Sequence, residues 1–220
     1  METISIIGAT GAMGAGLATR WARAGHDVII GSRNADRAET AARELNARVG
    51  GDRVIGLNNA DAANAGDIVV LTIKFEHQQH TLEQIKAGVQ GKILVDTTAP
   101  LVPPKVARVQ LPKEGSAGII AQQFLGDDVL VISAFQNIAA EALSSSKAID
   151  CEVLVTGNDV NARNKVIELA AVAGMRAWHA GPLANSVAAE ALTSVLIHIN
   201  KRYGTDHAGI RINGISREPS

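Results

Sequence analysis

Short apolar runs alternate with longer stretches of helical periodicity over the first hundred residues. The runs at 4–7, 27–30, 53–57, 68–73 and 93–95 are apolar almost throughout, which predicts strands buried on both faces. Between them, residues 13–24 carry Leu17, Trp21 and Ala24 at helical spacing. Residues 34–49 are rich in Ala, Glu and Arg behind a capping Asn34, and 75–87 predicts a further helix. Strands alternating with helices of this length mean βαβ units and a mostly parallel sheet.

The texture changes at Pro100, Pro103, Pro104 and Pro112, which rule out a continuous helix or a central strand there. A helix over 115–124 and a sixth strand over 129–134 follow. A smaller unit comes next: strand 152–156, helix 160–173, then the run 176–179. Last is an Ala- and Leu-rich helix over 184–202 with apolar residues on most of its faces. Such a helix is buried within its own chain or against a second copy. The expected fold class is α/β, with a doubly wound domain over 1–140. A small C-terminal α/β domain is expected over 141–220. The polar residues after Gly214 read as a frayed tail.

Composition narrows the partners. The 220 residues carry 21 basic and 22 acidic side chains, so no global positive field exists to hold nucleic acid or an anionic membrane. With 3% aromatic residues, stacking platforms for single strands are not expected either. No apolar run reaches the roughly 20 residues of a membrane span. The chain starts directly on a strand, which does not read as a signal peptide, and cytoplasmic residence is the expectation. The lone Cys151 excludes an intramolecular disulfide and a multi-cysteine metal site, and its strand-like neighbours make it a small buried hydrophobe. His77 and His80 share a helix face but lack a third ligand, so no metal is expected.

The most informative segment is Gly8-Ala9-Thr10-Gly11-Ala12-Met13-Gly14, placed after the first strand and opening the first helix. In that context Gly8 makes a tight turn, Gly11 lets backbone amides close on a pyrophosphate, and Gly14 permits close packing of helix on sheet. The helix N-terminus adds unsatisfied N–H groups and a positive dipole end. This is a Rossmann-type reading, although position 9 is Ala where the common fingerprint has Gly. The second strand ends in Ile30-Gly31-Ser32-Arg33, with Arg37 one helical turn on and no carboxylate at the tip. A hydroxyl and two guanidiniums suit a 2′-phosphate, so the sequence points to NADP(H) rather than NAD. The alternative is that Arg33 and Arg37 form a solvated helix face.

Strand C-ends line the ligand crevice of such a sheet. Ile73 and Phe75 are therefore candidates to wall the nicotinamide region, and His77 to reach a phosphate or ribose. Asp96, Thr97 and Thr98 stand at the end of the fifth strand. After the sixth come Gln136, Asn137, Ile138 and Ala139, where small residues admit a planar ring. No Ser-His-Asp set and no paired carboxylates follow from the spacing, so no catalytic side chain is assigned. Hydride transfer needs none, because two stacked rings in register suffice.

Taken together, Gly8–Gly14, the Gly31-Ser32-Arg33 tip, Leu71-Thr72-Ile73 with Glu76-His77, and Ala180-Gly181-Pro182-Leu183-Ala184-Asn185-Ser186 resemble the NADPH:deazaflavin oxidoreductases, also called coenzyme F420-dependent NADP oxidoreductases. The similarity runs from about residue 3 to residue 212. It implies a Rossmann domain, a small C-terminal domain, a dimer, and hydride transfer between NADPH and the F420 deazaflavin as co-substrate. Carried over position by position, Thr10, Gly11, Ser32 and Arg33 stand where the family has its NADP contacts; Ala12, Met13, Ile73, His77 and Ala139 complete the expected cofactor-binding set. Arg37 replaces a Lys of the family. On the acceptor side Gln136, Asn137 and Thr193 are implied. Here the chain departs from the family pattern: Gln136 replaces a His, Val187 an Arg and Ala191 a Ser. The proline-rich insertion at 103–112 also reshapes the cleft. An NADPH-dependent reductase of another acceptor, such as an imine, ketone, flavin or pterin, is the first alternative. A non-catalytic NADP-binding sensor is the second.

Overall fold

The computed structural model describes residues 2–144 and 149–215. Its strands are β1 (Ile4–Ile7), β2 (Val28–Ser32), β3 (Val54–Asn58), β4 (Ile68–Leu71), β5 (Ile93–Asp96), β6 (Leu130–Ser133), β7 (Glu152–Gly157) and β8 (Arg176–His179). The helices are α1 (Ala12–Arg23), α2 (Ala35–Val49), α3 (Asn59–Ala65), α4 (Gln78–Ile85), α5 (Ala117–Leu125), α6 (Ala140–Ser144), α7 (Val160–Val172) and α8 (Ser186–Tyr203). The sheet order is β3-β2-β1-β4-β5-β6-β7-β8. From β3 to β6 every pairing is parallel. Strand β7 joins β6 antiparallel through Ile132↔Gly157 and Ser133↔Thr156, and β8 runs parallel to β7. The order reverses between β1 and β4, which makes their C-ends the switch point where such sheets take ligands.

The apolar strands are explained by two covered faces. Ile4, Ile6, Val28, Ile30 and Val70 pack with Leu17 and Trp21 of α1, Leu45 of α2 and Val166 and Leu169 of α7. Ile7, Ile29, Val69, Leu71 and Leu94 pack with Ala62 of α3, Leu82 and Ile85 of α4, and Ala121 and Leu125 of α5. Trp21 ties the first face together. Its indole N–H donates to Leu169 O at 2.8 Å, and its ring meets Phe135 edge-on at 6.3 Å between centroids. Both side chains are fully buried. Truncating Trp21 to Ala should therefore cost about 3–5 kcal/mol of stability, read as a lower urea midpoint.

Most of the expected elements are present, with shifted ends. Strand β4 stops at Leu71, two residues early; Thr72 N makes the last bond of its ladder to β1, to Ile7 O at 2.8 Å, and the Thr72 hydroxyl donates to the same oxygen at 3.0 Å. The expected helix over 75–87 is a 3₁₀ turn, Phe75–His77, followed by α4. Beyond it the chain passes so close to α3 that a Cβ on Gly88 would lie 2.8 Å from Asn64 N. Helix α3 was not anticipated, although Asn58 caps it by accepting from Asp61 N at 2.9 Å. Helix α6 was not anticipated either. Segment 97–115 is irregular, as the prolines require.

Cys151 sits just ahead of β7, half-buried, and burial pushes its thiol above the usual range. The segment after α8 returns along β7, where Ile210 O accepts from Glu152 N at 2.9 Å. Residues 216–220, most of the expected frayed tail, lie outside the described residues. Among the described residues no helix is long and apolar enough to cross a membrane.

Candidate functional site at the sheet switch point

The β1–α1 turn is built by glycines with different jobs. Gly8 takes φ +88°, and a Cβ there would lie 2.6 Å from Thr72 O. A Cβ on Gly14 would lie 2.5 Å from the Thr72 hydroxyl and 2.6 Å from Ala9 Cα, so α1 packs directly on the turn. Gly11 differs. It caps α1 with φ −89° and ψ 163°, and a Cβ there would meet only Gly8 O, at an ordinary 3.5 Å. Nothing inside the protein requires a glycine at 11; the open space in front of it does. No side chain caps α1, and its first turn has no acidic residue. The helix end thus presents free N–H groups and positive dipole to whatever lies ahead of it.

Ahead of it lies a pocket of about 260 Å³. Gly8, Thr10, Gly11, Ser32, Arg33, Asn34, Arg37, Asn59, Thr72, Ile73, Lys74, His77, His80 and Thr81 line it. Three permanent cations and two imidazoles are present, and no carboxylate. Neither Arg33 nor Arg37 has a carboxylate partner among the described residues. Lys74 and His77 do share one at the rim, Glu76, at 3.9 and 3.8 Å. Asn34 caps α2 by accepting from Arg37 N at 3.0 Å, which sets the first turn of α2, and so Arg37, beside Ser32 and Arg33. A small pocket with an open helix N-terminus and two unpaired guanidiniums can hold a polyanion with a terminal phosphate monoester.

Seven of the expected cofactor residues meet here: Thr10, Gly11, Ser32, Arg33, Arg37, Ile73 and His77. Ala12 opens α1 beside the pocket without lining it. Met13 turns partly into the core, Ala139 lies beyond the end of β6, and Phe75 is not part of the lining. Sequence reasoning missed Asn59, Thr81 and the role of His80. Asn59 stands where β3 gives way to α3, so the strand-end rule reaches it once β3 is placed correctly. His80 lies one turn beyond His77 on the same face. Neither spacing says which way the side chains point.

The acceptor-side positions behave differently. Asn137 does not face open space: its amide donates to Glu152 O at 2.6 Å and tethers the post-β6 loop to β7. The Thr193 hydroxyl donates to Gln136 O at 3.0 Å, and the Gln136 amide nitrogen donates to Asp96 O at 2.9 Å and to the Ser133 hydroxyl at 2.7 Å. Gln136 Oε1 is buried without a partner. Asp96, expected at the crevice, is wholly buried; its carboxylate accepts from Gln78 Nε2 at 2.6 Å and Thr98 N at 2.9 Å. Burial pushes the Asp96 carboxyl up to about 6. Glu190 of α8 is equally buried, and burial together with the charge of Asp96 pushes it up to about 7.

Known proteins resemble this chain over nearly its full length. Residues 3–100 match the family model described as NADP oxidoreductase, coenzyme F420-dependent. The F420-dependent NADP reductase of Methanocaldococcus jannaschii is 39% identical over 96% of this chain and 98% of its own length. That of Methanothermobacter thermautotrophicus is 40% identical over 98% of this chain and 96% of its own. Among solved structures, a candidate F420-dependent NADP-reductase of Arthrobacter sp. FB24 superposes with a TM-score of 0.81 at 25% identity, covering 97% of this chain and all of that one.

Proposed function

The chain belongs to the coenzyme F420-dependent NADP oxidoreductase family, and from that premise we propose that it passes a hydride between NADP(H) and the deazaflavin coenzyme F420. The observation that carries the nucleotide half is the carboxylate-free pocket at the switch point. There the α1 N-terminus would take the pyrophosphate, with Gly11 leaving it room. Ser32, Arg33 and Arg37 would take the 2′-phosphate, and Thr10, Ile73 and His77 the rest of the nucleotide. Ala12 and Met13 contribute backbone at the helix end. Ala139 and the 136–139 segment border the place where the second ring approaches.

When bound, the two coenzymes supply the hydride donor and acceptor carbons. The protein's part is to bind, align and exclude water, which is enough for a transfer whose barrier falls chiefly through proximity. No side chain is needed as general acid or base. In this reading residues 1–140 hold the nucleotide, and residues 141–220 close the cleft through α8, with Gln136 and Thr193 on the acceptor side. The chain works in the cytoplasm as a homodimer that uses α8. Val195 and Tyr203 lie exposed on that helix, and Val109 and Leu111 of the proline-rich segment are exposed as well. Light scattering at micromolar concentration should give twice the mass of one chain; a single-chain mass would remove the dimer.

The activity is tested by anaerobic mixing with NADPH and oxidised F420 while the deazaflavin absorbance is followed. Bleaching within the dead time of manual mixing is expected. An unchanged spectrum in a sample that binds NADPH would assign the scaffold to another acceptor. Val187 and Ala191 favour that second reading, since both present apolar groups where the family carries polar ones.

A further inference from the structure

Six residues from five elements and the loop after β6 close a ring of buried polar contacts. Gln78 Nε2 donates to the Asp96 carboxylate at 2.6 Å and to Ala117 O at 2.9 Å. Ala117 N donates to Glu190 Oε2 at 2.6 Å, and Gly118 N to Glu190 Oε1 at 3.0 Å, so Glu190 of α8 caps the start of α5 from across the fold. The Ser133 hydroxyl donates to Glu190 Oε1 at 3.0 Å and accepts from Gln136 Nε2 at 2.7 Å. Gln136 Nε2 returns to Asp96 O at 2.9 Å. One turn further along α8, Thr193 holds Gln136 O at 3.0 Å. A carboxylate withdrawn wholly from water is expensive to keep, and the hydrophobic helix α8 could be seated without it.

Gln136, a member of the ring, follows a strained exit from the sheet. Phe135 is the non-glycine residue at positive φ, +73°, among the described residues. A bulky residue keeps that conformation only when its surroundings over-determine it. Phe135 is held by its ring on Trp21 and by Ile138 N donating to its carbonyl at 3.1 Å, and next to it the Gln136 amide makes two bonds, one of which ends on Ser133, whose hydroxyl donates to Glu190.

We propose that Glu190 is a positioning residue for the acceptor half of the reaction: acting through Ser133, it fixes the amide of Gln136 and with it the main chain of residues 136–139. This rests on the reading that the second ring lies against that segment. At a pH above about 7, the value to which burial and the charge of Asp96 push it, Glu190 is ionised and accepts all three of its bonds, which turns the Ser133 hydroxyl toward it and leaves a Ser133 lone pair for Gln136; the variants are compared there. Without that carboxylate the Ser133 hydroxyl is free to rotate, and Gln136 loses its second anchor.

The test compares the whole protein with Glu190→Gln and Ser133→Ala. The serine variant leaves both α5 amides bonded to Glu190, so it folds even where the glutamine variant does not. We expect the F420 KM to rise roughly tenfold in either variant, the worth of one charge-assisted contact, while the NADPH KM stays within about twofold. Hydrogen exchange should accelerate at 136–139 and stay unchanged along β6. Parallel rises in both KM values, or unchanged exchange at 136–139 in Ser133→Ala, would overturn the proposal. Should the wild-type protein leave F420 unreduced, the functional reading fails by itself. The exchange experiment then still decides the positioning role: faster exchange confined to 136–139 upholds it and unchanged exchange ends it.

Discussion

Replacing Gly11 with Val should abolish dinucleotide binding in a protein that still folds. The backbone at 11 lies in the extended region, φ −89° and ψ 163°, which suits a β-branched residue. The new Cβ would touch only Gly8 O, at 3.5 Å. Stability should change by less than about 1 kcal/mol, the scale of a poorer N-cap residue. The two methyl groups would instead stand before the α1 N-terminus, where an anion must approach the free N–H groups. Losing those bonds and the close approach should raise the NADPH Kd roughly a hundredfold or more. Gly14→Val is the informative contrast. Its Cβ would fall 2.5 Å from the Thr72 hydroxyl and 2.6 Å from Ala9 Cα, so α1 must lift off the turn and the protein should lose its cooperative melting. Titration of nucleotide fluorescence alongside thermal melts separates the two variants. Wild-type affinity in Gly11→Val would mean that the β1–α1 turn is not where the pyrophosphate sits.

The parts of this fold that a period can express were legible in the sequence. Strands covered on both faces read as continuous apolar runs, and their alternation with helices gave a mostly parallel sheet; the order of the strands was not legible, and β3, expected to be buried on both faces, is an edge strand with Ile55 exposed. The Gly8–Gly14 turn announced the switch point: Gly8 and Gly14 answer steric demands on the backbone, and Gly11 leaves the α1 N-terminus open. What escaped was decided by tertiary contact. Helix α3 is only seven residues of Ala, Asn and Asp, too short to show an apolar stripe. The sequence likewise did not reveal that β7 would pair antiparallel with β6, since strand direction depends on the path of the connection rather than on the strand's own residues. At the site, the nucleotide residues were found because charge and glycine placement carry chemistry on their own. The acceptor side resisted. Gln136, Asn137 and Asp96 are all polar residues near strand C-ends, and only the structure shows their amide nitrogens and carboxylate committed to groups inside the protein, the Asn137 amide to Glu152 O, the Gln136 amide to Asp96 O and Ser133, and the Asp96 carboxylate to Gln78 and Thr98 N. The Glu190–Ser133 link joins residues 57 positions apart, beyond any local pattern.

Arg33→Ala should turn a protein that prefers NADPH into one nearly indifferent to the extra phosphate. The β2 tip offers Ser32 and Arg33 and lacks the carboxylate that would grip a ribose 2′-hydroxyl; Asp36, the nearest acid, belongs to the first turn of α2. Arg33 and Arg37 line the pocket without carboxylate partners among the described residues, so their charge is uncommitted. A guanidinium on a phosphate monoester forms paired charge-assisted bonds worth about 2–3 kcal/mol in a partly exposed site, which is roughly a 30- to 150-fold rise in the NADPH Kd. NADH has no group there, and its Kd should move by no more than about threefold, the residue of weaker long-range attraction. Arg33→Lys should fall between, since it keeps the charge and loses the planar fork. Arg37→Ala should act in the same direction but less strongly, because Arg37 is a helix residue one turn removed from the tip. Higher salt should erode the wild-type preference more than that of the variant, as fewer screened charges remain in the latter. Equal losses for NADPH and NADH in Arg33→Ala would remove the guanidinium from the 2′-phosphate and leave Arg33 as part of the solvated face of α2.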